Sequence, residues 1–364
     1  MHARQRAFPK KAALRRGLPG HWTTLPATRC SVMSPWDGAA ANADSRRSQY
    51  GPSTTIVKNG KGWNVFKNVM VYRMVGELTT TQAQLEEALQ ADRFVACGAS
   101  QEKAVGWVEP RGVAHGPLLE VVGGQWLLKQ MVEIKAVPAS VVKRKVEDRV
   151  AQIETATGRK PGKKEIRDLR EDTRLALLPM AFTKQSSVLV WIDPQARLLV
   201  LGAGSQGKAD EVMTALVKSI DGLAVQLVNT QTSPAVAMSA WLSTQEAPAG
   251  FSVDRECELK AADESKAVVR YTRHALDTDE VSGHIAMGKV PTRLAMTWND
   301  RMSFVLTDAM QIKKLAFLDV VMENAARAAG DGKEDGFDTD TAIATAELGN
   351  MIPELIEALG GEMA

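Results

Sequence analysis

A glycine-rich stretch between an apolar run and a helical pattern has the clearest potential for chemistry. Gly202, Gly204 and Gly207 have the spacing of a dinucleotide-binding loop, and Gly202, Gly207 and Lys208 supply most of a triphosphate-binding loop. A triphosphate loop also needs a Ser or Thr after the lysine to hold magnesium, and Ala209 stands there. A dinucleotide loop follows a strand of a βαβ unit, whereas the four residues 193–196 before the predicted strand cannot carry a parallel crossover. We therefore interpret the stretch as a glycine turn that begins a helix.

The other chemically capable side chains form no recognisable catalytic or metal-binding pattern. His274 and His284 have no partner at metal-ligand spacing, which favours ordinary surface or core roles, and the three cysteines are far apart in sequence. The acidic C-terminal stretch lacks the glycine and the final glutamate of a calcium loop and is better interpreted as a solvated loop. Its carboxylates are those of Asp331, Glu334, Asp335, Asp338 and Asp340. The sequence thus predicts no catalytic residue, no metal site and no cofactor.

Charge is divided unevenly along the 364 residues, although the net charge is only +2. Residues 1–62 contain 11 Lys and Arg against 2 Asp and Glu, whereas residues 63–364 contain 34 against 41. Within this acidic remainder, residues 127–184 are basic, with 14 against 8. Such a chain can present a cationic surface to a polyanion. No apolar run is long enough to span a membrane, and the isolated cysteines are typical of a reducing cytoplasm, so we expect a soluble cytoplasmic protein.

The first 62 residues have no apolar period and are rich in Arg, Pro, Gly, Ser and Ala. We interpret them as a disordered basic extension. An Arg-rich, acid-poor leader is also typical of transit peptides, and the pair Arg46 and Arg47 suggests a twin-arginine signal, but no apolar signal core follows it. A mispredicted translation start is an equal alternative for residues 1–62.

From Trp63 onward, strands and helices are interspersed without a regular βαβ rhythm, which favours an α+β fold with mixed sheets. The runs 63–75 and 124–137 are predicted strands, and the helix after the first has Thr81 and Gln84 placed for a capping box. Further strands are predicted at 188–192, 197–201, 268–272, 292–298 and 302–306, and further helices at 208–219 and at the C terminus, the last ending at Gly360 and Gly361.

Residues 138–180 predict a projecting helical hairpin. Val142, Val146, Val150 and Ile153 form one apolar stripe on its first helix, and the turn contains Gly158, Pro161 and Gly162. Cations recur on one side of the second helix at Lys163, Arg167, Arg170 and Arg174, and Arg159, Lys160 and Lys164 lie in or beside the turn. Such a hairpin suits phosphate contacts. Because acidic residues interleave, charge alone favours a salt-bridged, solvated helix.

Several separated motifs resemble the recombination-associated protein RdgC family. They are WNVFKNVMVYR at 63–73, FVACG and GWVEP within 94–110, LLPMAFTKQSSVLVWID at 177–193, HIAMGKVPTRLAMTW at 284–298 and LIEALGGE at 355–362. The resemblance covers 63–364 in order and does not cover 1–62. It implies a non-enzymatic, nucleoid-associated protein whose horseshoe-like subunits form a ring-shaped homodimer. Such a ring would encircle double-stranded DNA without sequence preference, with single-stranded DNA as a further ligand left open, and limit the access of RecA to DNA.

The resemblance also assigns candidate residues. Phe182 falls where the family has an apolar residue important for closing the ring, although sequence alone favours core packing for it. Arg273 matches a basic residue that faces DNA, and His274 departs from the family pattern at the next position. The remaining candidates for DNA contact are Arg159, Lys160, Lys163, Lys164 and Arg167 in the hairpin, and Lys289 and Arg293 further on.

Two alternatives remain open at this point. One is a nucleotide-binding enzyme that uses the loop Gly202–Lys208, and the other is a scaffold that binds another protein through its acidic C-terminal region. The resemblance favours the DNA-binding ring over both.

Overall fold

The structure, a computed structural model, describes residues 65–323 and 336–363, all within one compact unit of the chain, Lys58–Ala364. Among these residues, helices are interspersed with two antiparallel β-sheets, which confirms the predicted α+β class. The predicted basic extension, residues 1–62, lies outside the described residues, as do Cys30, Asp331, Glu334 and Asp335.

Within residues 65–323 and 336–363, the larger sheet contains seven strands. They are β1 (Met70–Met74), β2 (Lys103–Val108), β3 (Leu119–Val122), β4 (Gln125–Ala136), β5 (Phe182–Asp193), β6 (Leu198–Leu201) and β7 (Val225–Leu227). Their order is β2-β4-β5-β6-β1-β7, and β3 also pairs with β4. Because β5 and β6 form an antiparallel hairpin, the four residues between them need no crossover, as predicted.

Strands β4 and β5 form the longest ladder of this sheet, from Trp126 opposite Ile192 to Ala136 opposite Phe182. The predicted strand 124–137 is confirmed as β4, whereas β5 begins well before the predicted residue 188. The first half of β5 is mostly polar and exposed, so no apolar alternation revealed it. Backbone pairing with β4 extends the strand to the point where the helical hairpin joins it.

The predicted first strand, 63–75, is confirmed only for Met70–Met74. Trp63 and Asn64 lie outside the described residues. Just before β1, Val69 exchanges backbone hydrogen bonds with Ile312, and the Lys67 carbonyl accepts one from Leu315. This segment therefore pairs with a strand of the other sheet before the chain enters its own.

The smaller sheet contains five strands in the part of the chain that the structure describes. They are β8 (Phe251–Ala261), β9 (Val268–Thr272), β10 (Lys289–Trp298), β11 (Met302–Thr307) and β12 (Ile312–Phe317). Their order is β12-β11-β10-β8-β9. The strands predicted from sequence at 268–272, 292–298 and 302–306 are confirmed, and β8 and β12 were not predicted.

The described helices are α1 (Gln82–Ala91), α2 (Ala139–Thr157), α3 (Lys163–Leu177), α4 (Gln206–Ser219), α5 (Pro234–Thr244), α6 (Asp279–Ala286) and α7 (Gly336–Ala358). The capping box at Thr81 and Gln84 is confirmed, since each side chain bonds the other residue's backbone N–H. The predicted stop after α7 is also confirmed, because Gly360 and Gly361 have φ of 86° and 92°, a region that favours glycine.

Apolar side chains form two clusters on opposite faces of the seven-stranded sheet. Alternation along β1 illustrates the division, since Met70 and Tyr72 face one cluster and Val71 faces the other. Helices α1 and α4 cover the first cluster. The second cluster joins the seven-stranded sheet to the five-stranded sheet, α5 and α7. The sheets are thus held by a shared interior, which leaves α2 and α3 outside both clusters.

Candidate nucleic-acid interface

The helical hairpin connects the adjacent ends of β4 and β5, and its ends have clear local causes. Pro138 precedes α2 as its N-cap residue, where a missing N–H is tolerated. Gly158 ends α2 in the left-handed conformation, with φ of 69°. The buried Pro161 and the N-cap Gly162 lead into α3. The hairpin predicted at 138–180 is confirmed by α2 and α3.

The interior of the hairpin is narrow. On α2, Val142 and Val146 are buried and Val150 and Ile153 are half-buried, which confirms the predicted stripe. On α3, Thr173 is the one fully buried residue, and its hydroxyl has no hydrogen-bond partner among the described residues. Most of the hairpin surface is therefore charged and exposed to solvent.

Charges on α3 are separated onto two flanks. At 3.6 residues per turn, Lys163, Arg167, Arg170 and Arg174 project along one side of the face that packs on α2. Glu165, Asp168 and Asp172 project along the opposite side. On the first flank, Lys163 and Arg170 have no carboxylate partner among the described residues, whereas Arg167 pairs with Asp168 and Arg174 with Glu102.

Few of the hairpin cations have a carboxylate partner. The ion pairs join Arg159 to Glu165 at 3.2 Å, Arg167 to Asp168 at 3.9 Å, Lys143 to Glu147 at 3.8 Å and Arg174 to Glu102 at 2.7 Å. All four pairs are exposed enough that each contributes little to stability. Among the described residues, no ion pair is found for Arg144, Lys145, Arg149, Lys160, Lys163, Lys164 or Arg170, all of which are exposed.

The other predicted DNA-contact residues lie on the five-stranded sheet. Arg273 follows β9 and is exposed, with a left-handed φ of 57°. Lys289 begins β10 and its Nζ donates to His284 Nδ1 at 3.0 Å. Arg293 is exposed in the middle of β10. No hydrogen bond or ion pair among the described residues joins this group to the hairpin, so the candidates form two separate groups.

His274, the departure from the family pattern, is exposed. Its Nδ1 lies 2.6 Å from the Ala275 carbonyl oxygen, and its ring centroid lies 5.5 Å from that of Tyr271. The contact of His274 with DNA stays a prediction.

A row of charges crosses the five-stranded sheet where sequence analysis recognised only Arg293. Glu258 of β8 lies opposite Arg270 of β9 on one side and Arg293 of β10 on the other. Burial alone would raise the pKa of Glu258, but hydrogen bonds from Thr292 and Arg270 and the charge of Arg293 lower it below its ordinary value. Arg270 was missed because its partners are neighbours in space and not in sequence.

Phe182 is 88% exposed at the start of β5, so the sequence-based expectation of core packing is wrong. It lies opposite Ala136, with Ile134 two residues along β4 on the same face of the sheet. Ile134, Leu175 and Met180 are also exposed apolar residues near the base of the hairpin. An exposed apolar group of this kind is typical of an interaction surface.

The glycine-rich loop between β6 and α4 has a packing explanation. A Cβ atom at Gly202 would lie 3.2 Å from the Leu189 carbonyl oxygen and 3.4 Å from the Phe66 ring, so a side chain there would be crowded. The strand before the loop pairs antiparallel with both β1 and β5, unlike the parallel strand of a dinucleotide-binding unit. Ala209 stands where a triphosphate loop has a hydroxyl-bearing residue. It lies on α4 and is buried in the apolar cluster that α1 and α4 cover.

Within residues 65–323 and 336–363, no group of three or more His, Cys, Asp or Glu side chains is arranged to hold a metal ion. Of the acidic C-terminal residues, Asp338 forms an ion pair with Arg111, and burial raises the pKa of Asp340. None of the described helices is both long and apolar enough to cross a membrane.

These features define an α+β protein with a basic helical hairpin inserted between the two longest strands of its larger sheet. A family model described as "Putative exonuclease, RdgC" matches residues 64–362. The chain belongs to the RdgC family, which confirms the resemblance.

Relatives under the name recombination-associated protein RdgC align with most of the chain. The protein from Dechloromonas aromatica (strain RCB) is 44% identical over 302 residues, which are 82% of this chain and 98% of the relative. The protein from Herminiimonas arsenicoxydans is 42% identical over 299 residues, 82% of this chain and 99% of the relative. The names differ in emphasis, because the family description names a nuclease and the relatives' name refers to recombination.

Proposed function

We propose that this chain binds double-stranded DNA without sequence preference, as a homodimer that encircles the duplex and restrains RecA-dependent recombination. Residues 63–364 would form the DNA-binding region, with the hairpin 138–180 as its main contact. The RdgC family assignment and the relatives' recombination-associated name support this function. We place the protein in the cytoplasm, associated with the nucleoid.

The observation that carries the proposal is the set of exposed hairpin cations without carboxylate partners. A lysine or arginine that is already paired must lose its partner before it can neutralise a phosphate. Lys160, Lys163 and Lys164 have no such partner among the described residues, so a phosphate would meet them directly. Flexible cations on a helix contact the backbone of DNA and not the base edges, which predicts equal binding to all sequences.

Ring closure is supported by the exposed apolar group around Phe182. A two-fold axis near this group would place Phe182 against the same surface of a second copy, and burial of its ring would stabilise the contact. Leu175 of this apolar group lies on α3, which also carries the cationic flank. One helix would therefore serve both dimer contact and DNA binding.

Retention on closed circular DNA tests the proposal. The full chain is bound to a covalently closed duplex and to the same duplex after linearisation, and both are washed across a salt series. A ring slides off free ends but stays on the circle, so we expect longer retention on the circle at raised salt. Equal loss from both forms would contradict encirclement, and the absence of binding would contradict DNA binding itself.

Phe182→Ser should erase the difference between circle and linear DNA while each subunit stays folded by circular dichroism, because the side chain is 88% exposed in the single chain. Val236→Ser is the matched control, since Val236 is also an exposed apolar residue but lies on α5. Loss of the difference in both variants would indicate a general effect of surface polarity.

The family description requires one further measurement. We propose that the protein is not an enzyme, so the linear duplex should keep its length during prolonged incubation with Mg²⁺ or Mn²⁺. Shortening from the ends would overturn this part of the proposal and favour the nuclease named in that description.

A further inference from the structure

The charged row on the five-stranded sheet has the composition of an anion site with an acidic group at its centre. Glu258 Oε2 lies 2.5 Å from Arg270 Nε and 3.9 Å from Arg293 Nη1, and Thr292 Oγ1 donates to Glu258 Oε1 at 2.9 Å. The two guanidinium groups are donors that also suit a phosphate oxygen.

Exposure differs sharply across this row. The side chain of Glu258 is only 14% exposed, whereas those of Arg270 and Arg293 are 68% and 49% exposed. Arg270 uses Nε toward the carboxylate, and its terminal nitrogens have no hydrogen-bond partner among the described residues. The carboxylate therefore holds the two arginines from below, and their outer edges face away from the sheet.

The spacing of the row follows from the sheet itself. Strands β9 and β10 flank β8, and both arginines lie directly opposite Glu258, so their Cα atoms are separated by two strand spacings, roughly 10 Å. Long arginine side chains converge easily over that distance. The row stands on strands whose opposite face is core, with Cys257 and Leu294 buried beneath it, so its position is fixed by packing.

We propose that Arg270 and Arg293 form a subsite for a phosphodiester group of the DNA backbone, and that Glu258 both orients the arginines and weakens the subsite. This inference rests on the proposed function. A carboxylate beneath the site attracts the guanidinium groups but repels a phosphate above it. Its removal without loss of hydrogen bonding should therefore tighten binding.

Glu258→Gln is the decisive variant: its amide oxygen can still accept from Arg270 Nε and its amide nitrogen can donate to Thr292 Oγ1, but it carries no charge. In the full chain, we expect it to bind a duplex roughly twofold to fivefold more tightly than wild type at moderate salt. Glu256→Gln is the matched control: Glu256 lies two residues earlier on β8 and pairs with Lys314 at 2.5 Å. That variant changes net charge equally and should leave affinity near the wild-type value.

A cycle with the arginines assigns the gain to the subsite. In an Arg270→Gln, Arg293→Gln background, Glu258→Gln should give no gain in affinity. A gain that persists there, or an equal gain in Glu256→Gln, would overturn the subsite and indicate bulk charge. Unchanged or weaker binding by Glu258→Gln would overturn it as well. If wild type itself fails to bind the duplex, the proposed function fails and not this inference alone.

Single arginine variants keep the proposal testable if Glu258→Gln does not fold. Arg270→Gln should lower duplex affinity more than Arg255→Gln, since Arg255 is an exposed cation of β8 outside the row. Equal effects of the two variants would overturn the subsite.

Discussion

The hairpin and the five-stranded sheet both present cations to solvent, but they hold them differently. In the hairpin, Lys163 and Lys164 extend from a helix with a narrow interior and have no ion pair among the described residues. On the sheet, Arg270 and Arg293 share the carboxylate of Glu258 above a closely packed core. One surface offers mobile charges, and the other offers oriented ones.

This difference separates two contributions to binding. Unpaired lysines on an exposed helix attract any phosphate backbone, and their effect depends strongly on salt through counterion release. Arginines fixed by a carboxylate lose less conformational freedom when they bind, but part of their charge is already neutralised. We therefore expect the hairpin to supply most of the affinity and the sheet to fix the position of the duplex.

Neutralising hairpin lysines should produce the largest effect. In Lys163→Gln, Lys164→Gln, each subunit of the dimer loses two phosphate contacts, so the slope of log affinity against log salt should become shallower by about 4 for the ring, with affinity lower by at least about tenfold at moderate salt. The loss should be equal on all duplex sequences. Fluorescence anisotropy with several unrelated duplexes across a salt series measures both quantities.

The matched control is Lys208→Gln, Lys218→Gln. These lysines are also exposed and unpaired among the described residues, but they lie on α4. The control should bind DNA almost as wild type does. A similar loss in both double variants would mean that net charge, and not the hairpin, determines affinity, and the contrast with the sheet would then disappear.

The two regions also differ in how well the sequence predicts them. The hairpin is encoded locally, by the stripe of Val142 and Val146, by Gly158 at the end of α2 and by Pro161 in the turn. Each of these signals lies within a few residues of the element it determines, so the hairpin was predicted from local sequence.

The row on the sheet depends on register, which no local pattern specifies. Glu258 meets Arg270 and Arg293 only because β8 lies between β9 and β10, and β8 was not predicted. Likewise, Phe182 is a large apolar residue of the kind usually found in a core, and its exposure depends on where the β4–β5 ladder ends. Residues positioned by contacts distant in sequence were the ones that sequence analysis missed or misassigned.

The pH dependence of stability should report on Cys257, which is buried on the core face of the five-stranded sheet. Burial raises the pKa of Cys257 to about 11, from 9.0 in the unfolded chain. Between these values the folded protein keeps a proton that the unfolded chain releases, so stability falls as pH rises above about 9, at up to roughly 1.4 kcal/mol per pH unit. In Cys257→Ala, urea unfolding should show a shallower decline over this range. An unchanged decline would assign the loss to other groups.

A substitution in the interior of the hairpin should change the free energy of unfolding least. The sign of the change should be opposite to that for a buried hydroxyl that is hydrogen-bonded. Thr173 is 3% exposed, and its hydroxyl has no partner among the described residues. Thr173→Val keeps the shape and removes this polar group, so the free energy of unfolding should be unchanged or increase by up to about 1 kcal/mol.

Thr345 of α7 is the matched control: it is equally buried in a helix, but its hydroxyl donates to the Thr341 carbonyl at 2.8 Å. Thr345→Val should therefore lower the free energy of unfolding by about 1 kcal/mol in the same urea titration. A loss of that size in Thr173→Val would mean that the hairpin hydroxyl is bonded in solution, through water or through a second copy of the chain. The buried hydroxyl of the hairpin would then be hydrogen-bonded, and the hairpin would differ from the five-stranded sheet only in how its exposed charges are held.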